Sequence, residues 1–115
     1  MLKKVLTGKI HQARITQCDL DYVGSITIDE DLLRATGMVP NEFVNIADLD
    51  NGARFETYVI KGEAGSGVIC LNGAAARKVQ VGDILIIISY VSIKKKKADK
   101  FKPLLVFPDE NNRLS

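Results

Sequence analysis

Polar and apolar residues alternate through Lys3–Thr16, "KKVLTGKIHQARIT", with the period of two that a β-strand requires. Alternation sets Val5, Thr7, Lys9, His11, Ala13 and Ile15 on one face, apolar at both ends, with Lys9 and His11 in its middle. The next run, "DYVGSITID" (Asp21–Asp29), is built from strand formers: Tyr22, Val23, Ile26, Thr27 and Ile28. Gly24-Ser25 interrupts it, and a glycine inside a strand marks a bulge, a bend or a close backbone approach. "TIDEDLLRATG" then reads as a short helix. Its start is capped by Asp29, or by Thr27 with Glu30, and Gly37 ends it. Leu32, Leu33 and either Ala35 or Thr36 form its core side.

"EFVNIADL" and "ARFETYVI" flank Asp50-Asn51-Gly52, and Asn-Gly between two strand-like runs predicts a hairpin. On the second strand Arg54, Glu56, Tyr58 and Ile60 share one face, and Ala53, Phe55, Thr57 and Val59 the other. "GEAGSG" (Gly62–Gly67) is a loop without the Gly-Lys-Ser/Thr of a phosphate-binding loop. "NGAAARKV" predicts a short helix starting near Asn72 or Gly73. "ILIIISYV", unbroken in its apolar character, predicts a strand buried on both faces. The lysine run Lys94–Lys97 reads as a solvated loop, "KPLLVF" (Lys102–Phe107) as a last strand, and "PDENNRLS" as a polar tail. Strands dominate, helices are short and no repeat is visible. The expected fold is a mainly β single domain over residues 1–115, a compact β-barrel with short helical insertions.

Composition narrows the function classes. At 115 residues, 46% hydrophobic and 26% charged, the chain can bury a modest core. A net charge of +2 is too small to imply nucleic acid by itself. Cys18 and Cys70 stand alone, and His11 with Cys18 supplies too few ligands, so neither a disulfide framework nor a metal site is expected. The N-terminus lacks an apolar signal region. The run Ile84–Ile88 falls far short of the roughly 20 residues of a membrane helix, so a cytoplasmic protein without a membrane partner is expected. With one histidine and no second cluster, hydrolase chemistry of the Ser-His-Asp kind is hard to build. The candidates that remain are Ser25, Lys9, Arg54, Tyr58, Tyr22 and Asn72. Arg54 and Tyr58 share a strand face, and cations held near apolar surface suit a small anion.

These residues resemble a known family, the pyruvoyl-dependent aspartate 1-decarboxylases. The resemblance covers essentially the whole chain. It rests on "GKIHQARIT", "DLDYVGSITID", "NGARFETYVI" and "GSGVICLNGAAARKVQVGD" in this order and spacing. It implies a double-psi β-barrel, a homotetramer with active sites between neighbouring subunits, and a precursor that cuts itself between Gly24 and Ser25. Cleavage leaves chains 1–24 and 25–115, the second starting with a pyruvoyl group made from Ser25. Some family members carry His where this chain has Asp21, so no role is assigned there.

The resemblance also implies roles. Ser25 Oγ attacks the Gly24 carbonyl, and Thr57 assists this processing. Glycine at 24 is expected to leave that carbonyl open and to permit a strained backbone. The pyruvoyl group, with neither metal nor pyridoxal phosphate, forms a Schiff base with L-aspartate, which loses CO2 to give β-alanine for pantothenate synthesis. Arg54 grips a substrate carboxylate, Lys9 supplies a second positive charge, and Tyr58 is the proton donor. Tyr22, Thr57, Asn72 and the Gly73, Ala74, Ala75 backbone complete the pocket. Strand alternation sets Thr57 opposite Tyr58, which a twisted or bulged strand would reconcile with one shared site. The rival reading is a small basic β-barrel that binds nucleic acid through Lys94–Lys97. Few aromatics stand near those lysines to stack on bases.

Overall fold

The structure is a computed structural model that describes residues 1–115. Eight strands carry the fold: β1 (Leu2–Arg14), β2 (Gln17–Asp19), β3 (Ser25–Asp29), β4 (Phe43–Asp48), β5 (Arg54–Gly62), β6 (Ile69–Asn72), β7 (Ile84–Lys94) and β8 (Leu104–Val106). Two short α-helices, α1 (Glu30–Thr36) and α2 (Lys95–Ala98), and a 3-10 turn at Gly73–Lys78 are inserted between them. The strands hydrogen-bond in the order β2-β6-β3-β5-β4-β7-β1-β8. Strands β1 and β2 are nearly one ribbon. Its first part pairs with β7, while its second pairs with β6, so the sheet wraps round and closes. The β3–β5, β2–β6 and β1–β8 pairs are parallel, and the rest are antiparallel.

The interior is aliphatic. Ile10, Ile26, Ile28, Val44, Val59, Ile69, Leu71, Leu85 and Ile87 are fully buried. Truncating such an isoleucine to alanine costs about 2–5 kcal/mol, so the barrel wall around Ile26 is a firm mount for its neighbour Ser25. Helix α1 closes one side. Asp29 caps it by accepting a hydrogen bond from Asp31 N at 2.8 Å, and Gly37 ends it in the left-handed conformation. Leu32, Leu33 and Thr36 are its buried residues. The β4–β5 hairpin forms around Asn51-Gly52 as its sequence predicts.

Four expectations are corrected. The second strand begins at Ser25, so Gly24 does not interrupt a strand but stands at its edge, after an exposed turn that holds Tyr22 and Val23. Simple alternation fails on β1. Register shifts between Leu6 and Gly8 and between His11 and Ala13, with Gln12 at φ 67°, exchange its faces. Ala13 and Ile15 are buried, while Lys9 and His11 are only partly so. β7 is fully buried on one face only: Leu85, Ile87 and Ser89 point inward, whereas Ile84, Ile86 and Ile88 are half-buried. Its apolar run continues into exposed Tyr90 and Val91 because β7 extends past the barrel to Lys94. Lys94–Lys97 is not a loop: Lys94 ends β7, and Lys95 opens the one-turn helix α2, which has no buried residue.

Candidate active site

Ser25 opens β3 and is buried to 3% exposure. Its hydroxyl donates to the Val23 carbonyl at 2.9 Å and accepts from Asn72 Nδ2 at 2.9 Å. The antiparallel β3–β6 ladder pairs Ser25 with Asn72 and Thr27 with Cys70, which sets all four side chains together. Asn72 Nδ2 also donates to Thr27 Oγ1 at 3.1 Å, and the Cys70 thiol donates to Asn72 Oδ1 at 3.2 Å. Burial pushes the Cys70 thiol up from its ordinary range, and Cys18 and Asp19 add to the shift, so the thiol keeps its proton and its donor role. The Asn72 amide is thereby held with its N–H toward Ser25 Oγ.

The scissile candidate Gly24-Ser25 lies over a second glycine. Gly73 has φ 65°, and a Cβ there would stand 2.8 Å from Gly24 Cα and 2.9 Å from the Tyr22 carbonyl oxygen. A Cβ on Gly24 would meet nothing within 4 Å, and Gly24 has no positive φ. The position that demands glycine is 73, because the first residue of the 3-10 turn presses on the backbone of the Tyr22–Gly24 turn.

Run back two residues, the parallel register of Ile26 with Val59 sets Gly24 beside Thr57. An open groove of about 310 Å³ joins them, lined by Gly24, Thr57, Tyr58, Ala74, Ala75 and Lys78 with Phe43, Phe55 and Glu56. Thr57 is buried, whereas Tyr58 is 54% exposed and packs on Phe43 with ring centroids 5.6 Å apart. The β4–β5 ladder runs without a register shift, so no bulge brings Thr57 and Tyr58 to one face, and the alternation stands. Arg54 shares the outer face with Glu56 and Tyr58 and borders a neighbouring hollow of about 220 Å³ with Asn45 and Ile46. Lys9 is half-buried between Ile88 of β7 and Leu105 of β8, with β7, β4 and β5 separating β1 from β3 in the sheet order. Tyr22 is exposed on the turn before the scissile candidate.

One chain therefore brings together Ser25, Gly24, Thr57, Asn72, Gly73, Ala74 and Ala75. Tyr58 borders the same groove from the outer face of β5, while Arg54 stands beside the neighbouring hollow and Lys9 lies across the sheet. Sequence reasoning missed Thr27 and Cys70, although the alternation in "SIT" and "CLN" puts each on the face of its site neighbour.

Comparison with known proteins decides what this arrangement belongs to. A family profile described as "Aspartate decarboxylase" matches residues 1–115. The chain belongs to the aspartate decarboxylase family. It is a decarboxylase, and its barrel is mainly β. Proteins named "Aspartate 1-decarboxylase" are similar to it along nearly their whole length. The one from Bacteroides thetaiotaomicron is 62% identical over 109 residues, 95% of this chain and 93% of its own. The one from Cytophaga hutchinsonii is 60% identical over 111 residues, 96% of each chain. Among solved structures, a computationally designed double-psi barrel is 20% identical, with a TM-score of 0.49, over 76% of this chain and 99% of its own. No helix here is long and apolar enough to cross a membrane.

Proposed function

We propose that this chain cuts itself between Gly24 and Ser25 and then converts L-aspartate to β-alanine and CO2, in the cytoplasm, for pantothenate synthesis. The observation that carries the reading is Ser25 itself. It is a buried serine held by Asn72 N–H at the edge of a groove, with Gly24 before it and Thr57 alongside. These residues fit a pyruvoyl group made in place, because two hydrogen bonds hold the Ser25 hydroxyl and the Cα of Gly24 faces open space.

Processing starts when Ser25 Oγ adds to the Gly24 carbonyl carbon. A C–O ester bond forms, the C–N amide bond breaks, and the hydroxyl proton ends on the freed Ser25 nitrogen. Asn72 N–H stabilises the oxygen that loses its proton, and Thr57 hydroxyl donates to the oxyanion that develops on Gly24. Removal of the Ser25 Cα proton then expels residues 1–24 with a carboxylate terminus, leaving a Cα–Cβ double bond on residue 25. Water replaces the nitrogen, which departs as ammonia, and residues 25–115 begin with a ketone.

Once formed, the pyruvoyl group supplies the sink for the electron pair that CO2 leaves behind. The chain's own residues bind and protonate. Arg54 forks onto one substrate carboxylate, Lys9 adds the second positive charge, and Tyr58 O–H delivers a proton to the substrate carbon. Asn72, Tyr22 and the Gly73–Ala75 backbone shape the pocket. Arg54 borders a separate hollow and Lys9 is three strands away, so these two groups complete a neighbour's site in a homotetramer, while Tyr58 borders the groove of its own chain. Exposed Val23, Phe43, Leu104 and Phe107 supply apolar surface for such contacts.

An intact-mass spectrum after prolonged incubation tests the reading. Two chains divided after Gly24, the larger lighter by one ammonia than a chain starting with serine, are expected. A single persistent chain of 115 residues, unable to release CO2 from aspartate, overturns it.

A further inference from the structure

Away from the groove, the turn after β4 and the loop before β7 bring three carboxylates together. Asp48, Asp50 and Asp83 each offer one oxygen, and the three oxygens lie within 4.8 Å of one another. Backbone N–H groups hold the set in place. Asp48 Oδ1 accepts from Asp50 N at 2.8 Å and Asn51 N at 3.3 Å, Asp50 Oδ2 from Ile84 N at 2.7 Å, and Asp83 Oδ2 from Gln80 N at 3.0 Å.

The second observation is Asp48 itself. It is 2% exposed, and its Oδ2 is buried with no hydrogen-bond partner. A buried carboxylate oxygen left unpaired is costly unless a counter-charge or a proton meets it. Arg77 and Lys78 border the adjoining hollow, yet neither reaches ion-pair distance; the protein's ion pairs are Arg34–Glu30 and Lys61–Glu30.

We propose that Asp48, Asp50 and Asp83 form a divalent-cation site of calcium type, which staples the β4–β5 turn to the loop entering β7. Hard oxygen ligands alone select hard cations. Calcium, with ligands at about 2.3–2.6 Å, spans oxygens up to roughly 5 Å apart without moving the carboxylates, and water fills its remaining positions. Magnesium demands a tighter octahedron. Arg77 and Lys78 nearby weaken the site, so a Kd on the order of 10⁻⁴ to 10⁻³ M is expected. The staple acts on the groove at one remove. Asn51 Nδ2, beside Asp50, donates to the Lys78 carbonyl at 2.8 Å, and Lys78 ends the 3-10 turn that carries Ala74 and Ala75.

The test is thermal melting of the purified full-length chain product in chelator and in calcium chloride, with calorimetric titration of calcium for stoichiometry. One ion per chain is expected, with a Tm rise of roughly 5 °C at about ten times Kd. Asp83→Asn keeps an acceptor oxygen for Gln80 N while removing the charge, and it should abolish both signals. If that variant fails to fold, the exposed Asp50→Asn serves, with at least a tenfold loss of affinity expected. No response of the wild-type chain to calcium, magnesium or manganese overturns the proposal. A higher Tm for Asp48→Asn in chelator would then point to a proton shared with Asp83. An equal calcium response in the wild type and in both variants also overturns it.

Discussion

Gly73 packs onto Gly24 so closely that any side chain on residue 73 would stand 2.8 Å from the Gly24 backbone nitrogen. The contact joins the two glycine-containing motifs, "GS" and "NGAAA", through backbone alone. It makes residue 73, and not residue 24, the sterically demanding one in the folded precursor.

Gly73→Ala therefore meets two penalties. A left-handed backbone costs a non-glycine residue roughly 1–2 kcal/mol, and the Tyr22–Gly24 turn must also move. Self-cleavage should slow at least tenfold, as followed by intact mass over time. Gly24→Ala should melt within about 0.5 kcal/mol of the parent chain, since its Cβ points into open space. Normal cleavage by Gly73→Ala would show that the contact does not set the scissile geometry.

Removing the Asn72 amide takes away the N–H that meets Ser25 Oγ. A hydrogen bond to a charged oxygen is worth about 1.5–3 kcal/mol, which corresponds to a cleavage rate roughly 10- to 100-fold lower in Asn72→Ala. Cleavage at the parent rate removes Asn72 from the processing step.

Tyr58 and Arg54 are exposed on β5, so replacing them should leave folding and cleavage intact. Tyr58→Phe should lower kcat by about 10²- to 10⁴-fold with KM little changed. Arg54→Ala should raise KM for aspartate by one or two orders of magnitude, roughly the loss of one charge-assisted pair. Unchanged turnover in Tyr58→Phe rules it out as proton donor.

Lys9 lies across the sheet from Ser25 in its own chain. Lys9→Ala and Ser25→Ala should each be inactive. Co-expressed, they should recover activity at about a quarter of the sites, one half times one half, because each chain supplies what its neighbour lacks. Co-assembled tetramers without activity would mean that Lys9 does not serve a neighbour's site.

The raised Cys70 thiol carries a definite pH sign. The folded chain holds this proton above the ordinary thiol value of 9.0, where the unfolded chain releases it. Stability from this group is complete below that value and is lost as pH rises toward the folded value. Cys70 should resist alkylation at about pH 8 until denaturant is added. Between about pH 8 and about pH 10, Cys70→Ser should lose less Tm than the parent chain; an equal loss assigns the pH dependence to other groups.

Local chemistry made much of the fold legible in the sequence. Asn51-Gly52 encodes the hairpin, Asp29 and Gly37 bound α1, and the alternation in "RFETYV" separates Thr57 from Tyr58. Each depends on residues within a few positions of one another. The family motifs likewise pointed to Ser25, because self-cleavage needs a hydroxyl next to a peptide bond, a one-dimensional requirement. Other features belong to the tertiary structure alone. The bulges in β1 turn Lys9 away from the face that alternation assigns it, because an extra residue in a ladder reverses every side chain beyond it. The pairing of β3 with β6 brings Cys70 and Asn72 to Ser25 across more than forty residues, and the register of two distant strands is set by their shared core. Gly73 over Gly24, and Asp48 at the end of β4 beside Asp83, are contacts between segments distant in the chain. They arise only when the barrel closes, so no spacing along the chain announces them.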